Sequence, residues 1–180
     1  MPILEMCLRE RGRITRIEGL LNGTTNYMLG EISKGRSYAD ALKDAQDKGF
    51  AEADPSGDVN GSDAGAKIRL LALLGFGEAV ELADIPMDTI ENFSPSAPKG
   101  AVKRVATCWF DTDGFGSKLE LKDLPLDDFI AQADGEEAHA VFTFTDGEQY
   151  YIRGKGAGRW PTTAAVMADL YDISASYITL

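Results

Sequence analysis

The chain has one histidine and two cysteines in 180 residues, too few and too scattered for a metal centre or a covalent framework. Cys7 and Cys108 stand about a hundred positions apart with no CxxC or Cys/His spacing, which excludes a zinc site and a disulfide scaffold. Two reduced thiols suit a cytoplasmic protein. His139 has no Ser, Cys or Asp constellation around it and reads as structural. Basic residues are scarce as well: 18 Lys and Arg against 29 Asp and Glu leave a net charge of −11. Neither nucleic acid nor an anionic membrane is expected as a partner, because both are held by clustered Lys and Arg. No window approaches the roughly 18 uninterrupted apolar residues of a membrane helix. The opening MPILEMCLRERGR, broken by Glu5 and three arginines, is not a signal peptide.

What is present is ordinary globular material, 44% hydrophobic and 26% charged, in a length that suits one core. Residues 3–11 read as a short helix stopped by Gly12. Residues 13–21 (RITRIEGLL) are rich in β-branched side chains and read as a strand ending at the turn pair Asn22–Gly23. Helical spacing starts at Thr24, and Ser37 caps a second helix over 38–48 that Gly49 stops. Residues 50–62 are acidic, contain Pro55, Gly57 and Gly61, and have no periodicity; they read as a loop. Residues 63–74 (DAGAKIRLLALL) are a strong helix, and 78–100 have no firm pattern. Strands are expected over 102–110, 119–122, 140–145 and 150–153, the last two joined through the hairpin pair Asp146–Gly147. A final helix is expected over 163–170. Strands and helices without strict alternation make this an α+β domain with a mixed or antiparallel sheet, helices packed on one of its faces.

Three segments could carry chemistry. In FAEADPSGDVNGSDAGAK (50–67), an acidic loop with Glu52, Asp54 and Asp58 runs into a helix carrying Asp63 and Lys67. Positions i and i+4 share a helix face, so Asp63 can hold the Lys67 ammonium as an acid/base requires; spacing alone is met equally by a solvated ion pair. In GLLNGTTNY (19–27), a strand meets a helix start whose N–H groups favour a carboxylate or phosphate, or simply a well-capped helix. GKGAGRWPT (154–162) invites a dinucleotide-fingerprint reading, which fails: the spacing is G-x-G-x-G, and only 22 residues follow Gly158. Its glycines do allow close approach of something bulky to the backbone.

In order, GLLNGTTNYML, AEADPSGDVNGSDAGAK and GKGAGRWPTTAAVMADL resemble three signature stretches of homoserine dehydrogenase. The middle one is the most specific, with Glu-x-Asp-Pro, Asp-Val-x-Gly-x-Asp and a terminal Lys at matching spacings. The resemblance implies reversible hydride transfer between L-homoserine and L-aspartate 4-semialdehyde with NADP or NAD, on the route to threonine, methionine and isoleucine. It implies Lys67 as the catalytic lysine and Asp63 as its partner carboxylate. Glu52 would bind the substrate ammonium, Asp58 would line the same pocket, and Gly23 and Thr24 would lie near the substrate. Gly158 would approach the nicotinamide cofactor. Residues 1–160 would be the substrate-binding and dimerisation domain of a homodimer. Residues 161–180 would be a helix that returns to a nucleotide-binding domain. That domain, with its dinucleotide fingerprint and the family's monovalent-cation site, precedes this region in the family. Phe50 stands where many members have Tyr, and the stretch 84–103 is shorter than usual. The chain alone is therefore expected to be inactive, with part of the last helix's apolar face (Val166, Met167, Leu170) uncovered. The alternative is a paralogue that binds an amino acid or oligomerises and catalyses nothing.

Overall fold

A computed structural model describes residues 3–95, 99–155 and 159–178. Five strands form one antiparallel sheet: β1 (Ile14–Gly19), β2 (Ala101–Asp111), β3 (Gly114–Leu124), β4 (Glu137–Phe144) and β5 (Gln149–Lys155), in the order β3-β2-β1-β4-β5. The helices are α1 (Ile3–Arg9), α2 (Gly23–Ser33), α3 (Tyr38–Asp47), α4 (Ser56–Asn60), α5 (Ser62–Leu71) and α6 (Arg159–Ile178). The α+β expectation holds, with the sheet antiparallel throughout.

Alternation within the strands decides which side chains meet the helices. Ile17 lies opposite Cys108 on one neighbour and Phe142 on the other, and all three are buried against α1 and α5. A bulge at Thr15 lets Ile14 and Ile17, three positions apart, both join that core. Ile3, Met6 and Cys7 of α1 and Ala64, Ile68 and Leu71 of α5 close it from above. Ile68 is fully buried there, so Ile68→Ala would cost about 2–5 kcal/mol. A second cluster, including Tyr27, Met28, Ala41, Ala45 and Val59, packs α2, α3 and α4 together and against Val102.

The opposite sheet face carries charge. Arg16 and Glu18 of β1 and Lys118, Glu120 and Lys122 of β3 form a ladder in which Lys122 Nζ reaches Glu18 (3.0 Å) and Glu120 (3.2 Å) and Arg16 Nε reaches Glu18 (2.9 Å). Burial opposes ionisation of Glu18, but hydrogen bonds from Arg16 and Lys122 outweigh it and hold the carboxyl at about 2. The segment 125–136 covers part of this face, packing Ile130 and Ala133 on Leu20 and Val105. His139 is buried beneath it, its Nδ1 2.6 Å from the Phe129 carbonyl and its ring stacked on Phe129, as a structural histidine should be.

Several boundaries differ from the sequence expectation. Residues 50–62 are not all loop: Pro55 starts the single turn α4, and Ser62 opens α5. Asx turns flank it, with Ser56 N–H donating to Asp54 Oδ1 (3.1 Å) and Ser62 N–H to Asn60 Oδ1 (2.8 Å). One turn is too short to show a period. The strand expected over 119–122 is Gly114–Leu124, the return arm of a hairpin from β2. Asn22 is the N-cap of α2 rather than half of a turn. The last helix runs Arg159–Ile178, and Val166, Met167 and Leu170 are exposed on it. Among the described residues, no helix is long and apolar enough to cross a membrane.

Candidate active site

The site forms where β1 delivers the chain to α2. Buried Asn22 has extended backbone (φ −136°, ψ 111°), and its Oδ1 accepts the Thr25 N–H at 2.9 Å, an N-cap. Its Nδ2 then points away from α2 and donates to Asp58 Oδ1 (2.6 Å) and Asp63 Oδ2 (2.9 Å). Asp63 Oδ2 also accepts from Lys67 Nζ at 2.7 Å, one turn along α5, and Lys67 Nζ donates to the Leu21 carbonyl at 2.8 Å. Two of the three ammonium protons are thus occupied, and one is left for a ligand. The Lys67 and Asp63 side chains are 45% and 38% exposed, open enough for a small molecule to reach them.

Of the expected site residues, the fold brings Asp58, Asp63 and Lys67 into one hydrogen-bonded cluster. Gly23 and Thr24 adjoin it as the first residues of α2. A Cβ on Gly23 would stand 3.0 Å from the Glu136 carbonyl, so the helix start is packed too closely for a side chain. The Thr24 side chain is buried and donates to the Phe50 carbonyl (2.6 Å); it anchors the acidic segment rather than facing a ligand. Glu52, two residues on, is exposed, and its carboxylate does not join the cluster. Its backbone carbonyl is tied by Gln46 Nε2 at 3.1 Å. Gly158 lies outside the described residues. Lys155, at the end of β5, pairs with Glu136 at 2.7 Å, which brings that strand end beside the start of α2.

Two contributors escape a reading of the motifs. Asn22 is one, and an Asn directly before a helical run is its only sequence signal. Arg104 is the other. It shares the core-facing side of β2 with Val102, Ala106 and Cys108, is 4% exposed, and donates to the carbonyls of Asp58 and Val59 (2.9 Å to Val59). These carbonyls end the short α4 and have no partner within it. Burial pulls the Arg104 guanidinium down to about 10, against the pull of Asp58, Asp63 and Asp88. Its signal is a charged residue at an inward strand position. Gly61, between α4 and α5, has φ 98° and would put a Cβ 2.9 Å from Leu119, so only glycine fits the bend that turns Asp58 and Asp63 toward Asn22.

Lys67 also lines a mostly apolar cleft of about 190 Å³, together with Leu4, Leu20, Leu21, Leu70 and Ala138.

Residues 2–171 match the family model of homoserine dehydrogenase. The chain belongs to the homoserine dehydrogenase family. It is 38% identical over 158 residues to homoserine dehydrogenase of Sulfurisphaera tokodaii, covering 88% of this chain and 50% of that protein. Against the Bacillus subtilis enzyme it is 39% identical over 167 residues, covering 88% and 38%. The crystal structure of a homoserine dehydrogenase from Thiobacillus denitrificans superposes with a TM-score of 0.86 at 28% identity, over 99% of this chain and 43% of that one. This homoserine dehydrogenase-family chain therefore spans half the length, or less, of the relatives it matches.

Proposed function

We propose that this chain is the substrate-binding and catalytic part of a homoserine dehydrogenase, acting on L-homoserine and L-aspartate 4-semialdehyde. The observation that carries the proposal is the Asn22–Asp58–Asp63–Lys67 cluster at the start of α2. A zwitterionic substrate with a reacting hydroxyl needs carboxylates for its ammonium, N–H donors for its carboxylate, and an acid/base at the hydroxyl. Asp58 supplies the first, with Glu52 proposed to add a second carboxylate from outside the cluster, and the opening N–H groups of Gly23 and Thr24, which have no intrahelical acceptor, supply the second. Lys67, held by Asp63 and the Leu21 carbonyl, supplies the third.

When bound, a nicotinamide cofactor, NADP or NAD, would supply the acceptor for the hydride on the hydroxyl-bearing carbon of homoserine; in that direction Lys67 acts as the neutral amine, takes the hydroxyl proton and becomes the ammonium. In the reverse direction Lys67 returns the proton to the carbonyl oxygen. The residues present fit one end of that cofactor. The cleft of Leu4, Leu20, Leu21 and Leu70 suits a flat ring beside Lys67, and Gly158 would approach the same ring. Among the described residues, the antiparallel sheet offers no βαβ unit for the pyrophosphate and ribose. A separate nucleotide-binding domain would hold these, and α6 would dock on it. We also propose a cytoplasmic homodimer formed through the charged sheet face, where Arg16, Glu18, Lys118, Glu120 and Lys122 alternate in sign and can meet their own copies. Sedimentation at micromolar concentration giving only a 19 kDa species would count against that dimer.

The test pairs binding with turnover. L-homoserine added to the chain should perturb the NMR signals of Lys67, Asp63 and the α2 start, and L-alanine, which lacks the hydroxyl, should bind more weakly. With homoserine and either oxidised cofactor, absorbance at 340 nm should not rise until a nucleotide-binding domain is joined to the chain. Binding that is never followed by turnover in the joined protein would favour a non-catalytic amino-acid-binding paralogue.

A further inference from the structure

We infer that Asn22 is a positioning residue for the Asp63–Lys67 pair, an assignment that rests on the reading of that pair as the acid/base. The amide cannot turn over. Its Oδ1 is committed to the Thr25 N–H, so its two Nδ2 protons must face the other way, where Asp58 and Asp63 accept them. One buried carboxamide thus bridges carboxylates from two different helices that would otherwise repel. Asp63 Oδ2 receives Asn22 and Lys67 together, and Lys67 returns to the carbonyl of Leu21, the residue before Asn22. The loop closes on itself: where Asn22 points sets where Asp63 points, and Asp63 sets where Lys67 holds its remaining proton.

The charged groups around this loop come from every neighbouring element. Asp58 belongs to α4, Asp63 and Lys67 to α5, and Arg104, holding the Asp58 and Val59 carbonyls, to β2. Asp88 lies near Arg104, and Glu136, whose carbonyl backs Gly23, has its carboxylate paired with Lys155. No cation other than Lys67 bonds directly to the Asp58 or Asp63 carboxylate among the described residues.

The capping role and the bridging role can be separated. Asp and Ser cap a helix about as well as Asn does, so Asn22→Asp and Asn22→Ser both retain the Thr25 bond. Asn22→Asp replaces the two donors with an oxygen facing two carboxylates, and Asn22→Ser removes the bridge without adding charge. The experiment follows the Lys67 ε-carbon by NMR through a pH titration of the chain labelled with ¹³C-lysine. In Asn22→Asp the Lys67 midpoint should move up by about one pH unit, because a third carboxylate now favours the ammonium. In Asn22→Ser a smaller rise is expected, and it should disappear in an Asp63→Asn background, the mark of a coupling carried through Asp63. If Asn22→Asp fails to fold, the Ser cycle decides alone. Unchanged Lys67 titration in the folded variants, or a Ser effect that persists without Asp63, would overturn the assignment and leave Asn22 as a cap only. Failure of L-homoserine to perturb Lys67 in the unsubstituted chain is a separate result. It would sink the catalytic reading while the coupling is still judged by the titration.

Discussion

Arg104→Met removes a guanidinium that touches no proposed ligand and yet should weaken both the fold and the site. Two effects oppose each other. Burial holds Arg104 at about 10, below its ordinary 12.5, so at any pH below about 10 the folded state bears the cost of a buried charge. Removing that charge returns up to about 3 kcal/mol. The variant also removes the guanidinium donors from the Asp58 and Val59 carbonyls, which Met cannot replace; Val59 keeps the Ile90 N–H (3.0 Å) and the Thr89 hydroxyl (3.1 Å), so the Asp58 carbonyl bears most of the loss. A hydrogen bond from a charged donor contributes roughly 1.5–3 kcal/mol, so the two bonds together narrowly outweigh the relief, and a net loss of about 1–2 kcal/mol is expected. At this chain length that lowers the melting temperature by about 2–4 °C per kcal/mol. Circular dichroism melts at pH 7.5, with urea unfolding to confirm an unchanged m-value, measure it. L-homoserine affinity should fall as well, since α4 loses its anchor. An equal or higher melting temperature at pH 7.5 with the same m-value would mean that burying the Arg104 charge costs more than its hydrogen bonds return.

Glu18→Gln tests the charged sheet face. Because the folded-state carboxyl is held at about 2, below its ordinary 4.5, its contribution to stability is present above pH 4.5 and lost as pH falls toward 2. The ion pairs are partly solvated, so the variant should lose about 1–2 kcal/mol at pH 7 and match the unsubstituted chain near pH 2 in urea titrations. Cys7 and Cys108 are both fully buried, and burial pushes their thiols up to about 11 and about 12, so neither should react with iodoacetamide at pH 8 until urea unfolds the chain; mass spectrometry counts the adducts. In a form joined to a nucleotide-binding domain, Lys67→Ala should lower kcat by about 10²–10⁴-fold. Glu52→Ala should act mainly on KM for homoserine, since it would pair with an ammonium that does not react, and equal small effects from both would remove them from the site.

Local physics made much of this chain legible. β-Branched residues marked the strand at 13–21 and the Asp146–Gly147 pair marked the turn between the last two strands, because both signals lie in immediate neighbours along the chain. Ser37 marked the start of α3, and its side chain accepts the Asp40 N–H. Asp63 and Lys67 were readable as partners because a single helix turn sets their distance and nothing else need be known. The short α4 was not readable, since one turn flanked by Pro55 and two Asx turns has no period. The partners of Asn22 and Arg104 were not readable for a different reason. Asn22 meets Asp58 and Asp63 across 36 and 41 residues, and Arg104 meets Val59 across 45. Each contact depends on how β1 and β2 pair and on the angle at which α4 and α5 lie across the sheet. Sequence determined which residues could hold a proton or a charge. Only the packed sheet decided which carbonyls Arg104 reaches and which two carboxylates one amide can bridge, because those distances are set by side-chain burial summed over the whole core and not by neighbours along the chain.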